Sequence, residues 1–196
     1  MFFIKQTTAL RKTNTLRLTL TALLTAIAIM IPMVMPIKVL IEPASFTLAS
    51  HVPIFFAMFL SPFIAVMVSL GSAVGFLLAG FPIVITLRAL SHVVFALIGA
   101  LYLQYRREEV LASPLKSQLF SFTIGILHAL AEVAVVSLFF FGLIGSGDYQ
   151  AGFFYAVFLL VGVGTVVHSM VDFLIAQVMW KSMGSRMIQL ARKVKA

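Results

Sequence analysis

The sequence contains no cysteine and little acid: six Asp and Glu among 196 residues, one Trp, and only 10% charged residues in all. The missing cysteine removes disulfides, thiolate metal ligands and cysteine nucleophiles. A soluble domain carries about 25% charged and roughly 45–50% apolar residues, so this scarcity excludes an ordinary cytosolic enzyme, a disordered chain or a fibrous repeat. In place of charge the chain has 62% hydrophobic residues, nineteen Phe and ten Met. Its mean hydropathy is +1.12. Composition therefore points to a single all-α integral membrane domain over residues 1–196.

Crossing a hydrocarbon core of about 30 Å takes roughly 20 apolar residues as a helix. The apolar runs lie at about 16–35, 48–60, 62–78, 82–103, 119–143 and 152–180. The second is short, and Pro62 disfavours helix at Ser61, so a break separates it from the third. Gly80-Phe-Pro82 marks the following turn. Six transmembrane helices are expected, or five if the short segment is re-entrant. The first run is longer than the apolar region of a signal peptide, and Pro32 and Pro36 stand where a small-residue cleavage site would.

Charge placement supports six. Twelve of the fourteen basic residues then fall on one side: Lys5, Arg11, Lys12 and Arg17 before helix 1, Arg106, Arg107 and Lys116 between helices 4 and 5, and Lys181, Arg186, Arg192, Lys193 and Lys195 after helix 6. The excess of Lys and Arg makes that side, with both termini, cytoplasmic. Basic tails of this kind also suit anionic headgroups of the lipid bilayer. The pI of 10.2 thus reflects flanking charge, and no nucleic-acid partner is expected. The opposite side carries Lys38, Glu42 and Asp148 in short loops. No Walker A motif is present, so active transport would draw energy from a partner or an ion gradient.

Ionisable residues inside a membrane segment mark candidate sites. Three helices each place a polar pair at i, i+4 on one face: Arg88 and His92, His128 and Glu132, His168 and Asp172. His51 opens helix 2, so all four histidines lie in or beside predicted spans. One reading is that such pairs only join helices. Arg88, at ~9 Å depth by helical rise, has three readings: it snorkels to the outer interface, it pairs with Glu132 in the empty state, or it forks onto a ligand carboxylate. The His–carboxylate pairs could also relay protons in a secondary transporter. Neither HExxH nor a histidine-rich loop occurs, so no metal and no other cofactor is expected. No nucleophile–base set assembles, and the chain is read as a non-enzyme. A last possibility is a membrane scaffold.

In helix 1, Ala22-Leu-Leu-Thr-Ala26 places two small residues four apart, the spacing that lets another helix approach closely. It follows Arg17-Leu-Thr-Leu-Thr. With the loop Pro43-Ala-Ser-Phe-Thr-Leu-Ala-Ser-His51-Val-Pro53, with Gly80-Phe-Pro-Ile-Val and Leu87-Arg-Ala-Leu-Ser-His92, and with Val163-Gly-Thr-Val-Val-His168-Ser-Met-Val-Asp172, the chain resembles the substrate-binding S components of energy-coupling factor (ECF) vitamin transporters. It is most similar to their niacin-specific branch; the pantothenate and pyridoxine branches are the alternatives. The resemblance covers nearly the whole chain. It implies a multi-pass protein of a prokaryotic plasma membrane that captures a small vitamin at the outer face. The pocket would be formed by the loop after helix 1, acting as a lid, and by helices 4, 5 and 6. Arg88, His92, His128 and Glu132 become substrate-binding candidates, joined by Ser45, His51, Tyr155, His168 and Asp172. Ala22 and Ala26 become contacts to an EcfT-type transmembrane coupling protein driven by two ABC ATPases, and the S component is expected to topple to release its cargo. The opening Met-Phe-Phe differs from the Met-His-Ile start of the nickel and cobalt branch. Arg88 would take a carboxylate, His92 or His128 a pyridine nitrogen, and Phe-rich walls would stack on the ring.

Overall fold

The structure, a computed structural model, describes residues 2–41, 43–144 and 152–195; Glu42 and Asp148 lie outside them. The elements in chain order are α1 (Phe2–Val34), β1 (Lys38–Ile41), β2 (Ala44–Thr47), α2 (Val52–Leu60), α3 (Pro62–Leu78), α4 (Ile83–Ala112), α5 (Pro114–Phe140), a π-helical segment (Phe154–Val163) that runs straight into α6 (Gly164–Ser182), and α7 (Ser185–Lys195). Among the described residues, four helices are long and apolar enough to cross a membrane: Asn14–Val34, α4, α5 and Phe154–Ser182. α3, at 17 residues, is a shorter apolar helix. The chain is an all-α membrane protein with one small hairpin added.

Proline and serine set the breaks. α2 begins with Pro53 in its first turn and ends at Ser61, whose backbone is extended. The Ser61 hydroxyl accepts the Ile64 amide at 3.3 Å, and Pro62 follows in the first turn of α3. Ser113 and Pro114 repeat the device at the start of α5, where the serine hydroxyl accepts the Lys116 amide at 3.4 Å. Each serine satisfies an orphaned helix donor, and each proline occupies a position that needs none.

α2 is the centre of the bundle. All nine of its residues are buried, against α1, α3, α4, α6 and α7. At 1.5 Å per residue it is about 13 Å long, less than half a hydrocarbon core. An aromatic core surrounds it: Phe55 and Phe59 meet Phe173 edge-on, and Phe56 and Phe59 meet Trp180. At its C-terminal end Arg107 donates to the Phe59 carbonyl at 2.6 Å and lies over the Trp180 ring at 5.5 Å. The same end of the bundle holds α7, where Arg17 donates to the Val194 carbonyl at 2.8 Å.

α1 lies outermost, packed chiefly on α3. A Cβ built on Gly71 would sit 2.6 Å from the Thr25 methyl, and one on Gly75 would strike Ile29. The two glycines are thus the seats of α1 side chains. Ala22 and Ala26 are exposed on α1, on the flank next to this contact and beside exposed Leu23 and Ile27.

Several boundaries differ from the hydropathy reading. α4 runs nine residues beyond Leu103 to Ala112, because Glu109 pairs with Arg106 and Lys116 outside the apolar stretch. The expected loop 36–50 contains the antiparallel hairpin, with Lys38 opposite Thr47 and Ile41 opposite Ala44. The hairpin docks through Phe46, whose ring tip lies where a Cβ on Gly164 would be, at 2.7 Å.

Candidate functional site

The three polar pairs read from the sequence converge with His51 below the hairpin. Each occupies one helix face, and α4, α5 and α6 turn those faces inward, so Arg88, His92, His128, Glu132 and Asp172 are all buried. They form two carboxylate centres.

Glu132 of α5 is the first. Arg88 Nη2 donates to its Oε2 at 2.8 Å, and the Thr165 hydroxyl donates to the same oxygen at 2.6 Å. His92 Nε2 lies 3.2 Å from Oε1. His128, one turn before Glu132 on the same helix, has its Nε2 at 3.5 Å from Oε1, an electrostatic contact rather than a hydrogen bond. Arg88 also donates through Nη1 to the Pro43 carbonyl at 2.8 Å. One guanidinium therefore joins α5 to the hairpin. Of the readings open for Arg88, the pair with Glu132 is the one formed.

Asp172 of α6 is the second, at the N-terminus of α2. Its Oδ1 accepts the Ala49 amide at 2.8 Å and its Oδ2 the His51 amide at 2.9 Å. His51 Nδ1 and His168 Nε2 lie 3.1 and 3.3 Å from Oδ2. A carboxylate against the free amides of a helix start meets both their hydrogen-bonding need and the positive end of the helix dipole. Ala49 holds a left-handed backbone, φ 68°, which costs a non-glycine residue about 1–2 kcal/mol. The bond to Asp172 is what keeps it there.

His51 sits between the centres. Its ring centroid is 4.7 Å from those of His92 and His128 and 4.9 Å from that of His168, while Phe95 lies over His128 at 4.3 Å. Two groups have donor atoms within 4.8 Å of one another, close enough to share an ion: His51, His92 and His128, and His51, His168 and Asp172.

Above this cluster is a cavity of about 150 Å³, the size that takes one six-membered ring. The hairpin roofs it with Lys38, Ser45 and Phe46; Arg88, His92 and Glu132 form one wall, and His51 and His168 form another. His128 and Asp172 lie behind the wall rather than on it. Tyr155 is 53% exposed on the π segment and is not among the lining residues.

Three contributors had not been singled out. Lys38 lines the cavity, exposed, with no ion-pair partner among the described residues. Ser50 bridges His51 and His168 at 3.3 and 3.1 Å. Thr165 had a signal in the sequence: it stands three and seven residues before His168 and Asp172, on the same helical face.

No family model matches the chain, and no solved structure matches it. The Niacin transporter NiaX of Lactococcus lactis subsp. cremoris (strain MG1363) is 41% identical over 171 residues, which cover 87% of this chain and 76% of that protein. Identity at that level through most of both sequences means that this chain belongs to the NiaX transporter family.

Proposed function

We propose that the protein is the vitamin-capture subunit of an ECF importer in a prokaryotic plasma membrane, with niacin as its substrate. The observation that carries this reading is the 41% identity to a niacin transporter over most of both chains. The cavity supports it. Its volume of about 150 Å³ suits one aromatic ring with a small substituent, whereas pantothenate is a longer, branched chain. Imidazoles in the wall are partners for a pyridine nitrogen, and the cations Arg88 and Lys38 are partners for a carboxylate. Because Arg88 is already engaged by Glu132 and Pro43, Lys38 on the hairpin, which has no ion-pair partner among the described residues, is the cation placed to meet an incoming anion first.

In this reading the second crossing is made by α2 together with the segment that descends to it from the hairpin, which gives six crossings in all. Both termini are cytoplasmic, where twelve of fourteen basic residues then lie.

Nicotinate is expected to raise the melting temperature of the purified protein, with pantothenate and pyridoxine giving little or no shift. A larger shift with either of those would overturn the choice of vitamin. Lys38→Ala is expected to weaken nicotinate binding about fivefold, the value of roughly 1 kcal/mol for an exposed charge, and by less at high salt. Calorimetric titration at two ionic strengths checks it, and unchanged affinity at low salt would remove Lys38 from the site.

The coupling face is assigned to exposed Ala22 and Ala26 of α1. Co-expression with an EcfT-type subunit and its two ATPases is expected to yield a complex that is lost on Ala22→Glu/Ala26→Glu while nicotinate binding persists. Nicotinate uptake by liposomes holding this chain alone, driven by a pH gradient, would instead establish a secondary transporter.

A further inference from the structure

The histidine cluster has a property that vitamin binding alone does not use. His128 is 0% exposed, and neither of its ring nitrogens has a hydrogen-bond partner. His92 is buried, and its Nδ1 is likewise unpartnered. Orphaned polar atoms are costly in a protein interior and more so inside a membrane, where no water compensates them. Here the two rings with orphaned atoms converge on His51. One ring nitrogen from each of His51, His92 and His128 lies within 4.8 Å of the others, although the rings come from the start of α2, from α4 and from α5.

Each ring also has a nitrogen near a carboxylate. His51 Nδ1 faces Asp172 at 3.1 Å, and His92 Nε2 and His128 Nε2 face Glu132 at 3.2 and 3.5 Å. A carboxylate behind an imidazole is the arrangement that orients a metal-ligating histidine and raises its basicity. Three imidazoles form a donor set suited to zinc, cobalt, nickel or copper. Bound to one ion at tetrahedral distances of about 2.1 Å, three nitrogens lie ~3.4 Å apart, so from separations of at most 4.8 Å an ion would need to draw the rings only modestly closer. His51 and His92 line the cavity, so a position on such an ion would open toward it.

We infer that His51, His92 and His128 form a binding site for one divalent transition-metal ion, backed by Glu132 and Asp172 and open to the cavity. Resting on the vitamin reading above, the open position is assigned to the pyridine nitrogen of the substrate, a donor of the same class as imidazole. Pantothenate has no such nitrogen.

The test uses cobalt(II) with the purified full chain, freed of any histidine tag. One cobalt per chain is expected, with the intense visible absorption of a four- or five-coordinate ion. His128→Gln and His92→Gln are each expected to weaken cobalt binding by more than about a hundredfold, beyond the roughly 10–100-fold that loss of a second-sphere partner costs, and to abolish that absorption. Only the weak spectrum of six-coordinate aqueous cobalt in the unaltered protein would overturn the site without reference to any variant. So would full-strength binding by His128→Gln. Nicotinate is expected to shift the cobalt bands and pantothenate to leave them unchanged. If nicotinate raises the melting temperature yet leaves the bands unmoved, the metal site stands and its pyridine ligand is overturned. If nicotinate does not bind at all while the bands form, the vitamin reading fails and the metal site does not.

Discussion

Glu132→Ala is expected to lower the unfolding free energy by about 3–5 kcal/mol, the cost of removing one partner from a buried ion pair. Glu132 is 3% exposed and Arg88 4%. Without Glu132, Arg88 keeps a single carbonyl partner at Pro43, and its charge stands uncompensated in a membrane interior. Thr165 and His92 lose an acceptor in the same step. Glu132→Gln retains an acceptor oxygen and is expected to lose less. The cause can be separated from general damage by a cycle. In Arg88→Ala/Glu132→Ala both charges are gone, so the double variant should be more stable than the sum of the single effects predicts, by about 0.5–3 kcal/mol. Denaturant unfolding in detergent measures all four proteins, and strict additivity would show that the pair is not the source. The same result bears on ligand binding. Arg88→Ala is expected to remove most nicotinate affinity, but Arg88 also ties the hairpin to α5. Its loss therefore acts through the roof of the cavity as well as through the ligand.

That coupling of roof and wall was only half visible in the sequence. The i, i+4 pairs were legible because helical periodicity fixes which residues share a face, and charges in an apolar run stand out. The pairing of Arg88 with Glu132 followed as one of three options, because both lie in the outer halves of their helices. The sequence held no reason to choose among the options, since the choice depends on how α4 and α5 face each other. His51 shows the limit more sharply. As a lone histidine at the edge of a short apolar run it had no periodic partner, yet its ring contacts those of the other three histidines. Its position is set by Asp172, 121 residues away, a non-local bond that no window reveals. The hairpin was hidden for a related reason. Each strand has four residues, too short for an alternation pattern to register, and its docking depends on the bare backbone at Gly164. Hydropathy located the apolar helices but ended α4 too early, because the helix continues where the charges begin.

Asp172→Ala is expected to be comparably damaging, by about 2–6 kcal/mol from two amides, one buried and one part-buried, orphaned at roughly 1–3 kcal/mol each. Those amides belong to Ala49 and His51, so the damage falls on the turn that feeds α2 into the core. Asp172 is 0% exposed. Ala49 adds to the effect, since its left-handed backbone, φ 68°, is strained by about 1–2 kcal/mol and held by the bond that the substitution removes. Asp172→Asn keeps one amide acceptor and should retain part of the stability. Ala49→Gly removes the strain at its origin, so adding it to Asp172→Asn is expected to restore about 1 kcal/mol. If the second change gives nothing, the turn is not strained and Asp172 acts only on the histidines. The functional consequence follows from position. Ser50 and His51 lie on the cavity wall and follow Ala49 directly. A relaxed turn moves both, and nicotinate affinity is expected to fall at least tenfold in Asp172→Asn even where the variant remains folded. Calorimetric titration of that variant below its melting temperature measures this. Wild-type affinity in a folded Asp172→Asn protein would show that the α2 turn is a structural support with no part in holding the ligand.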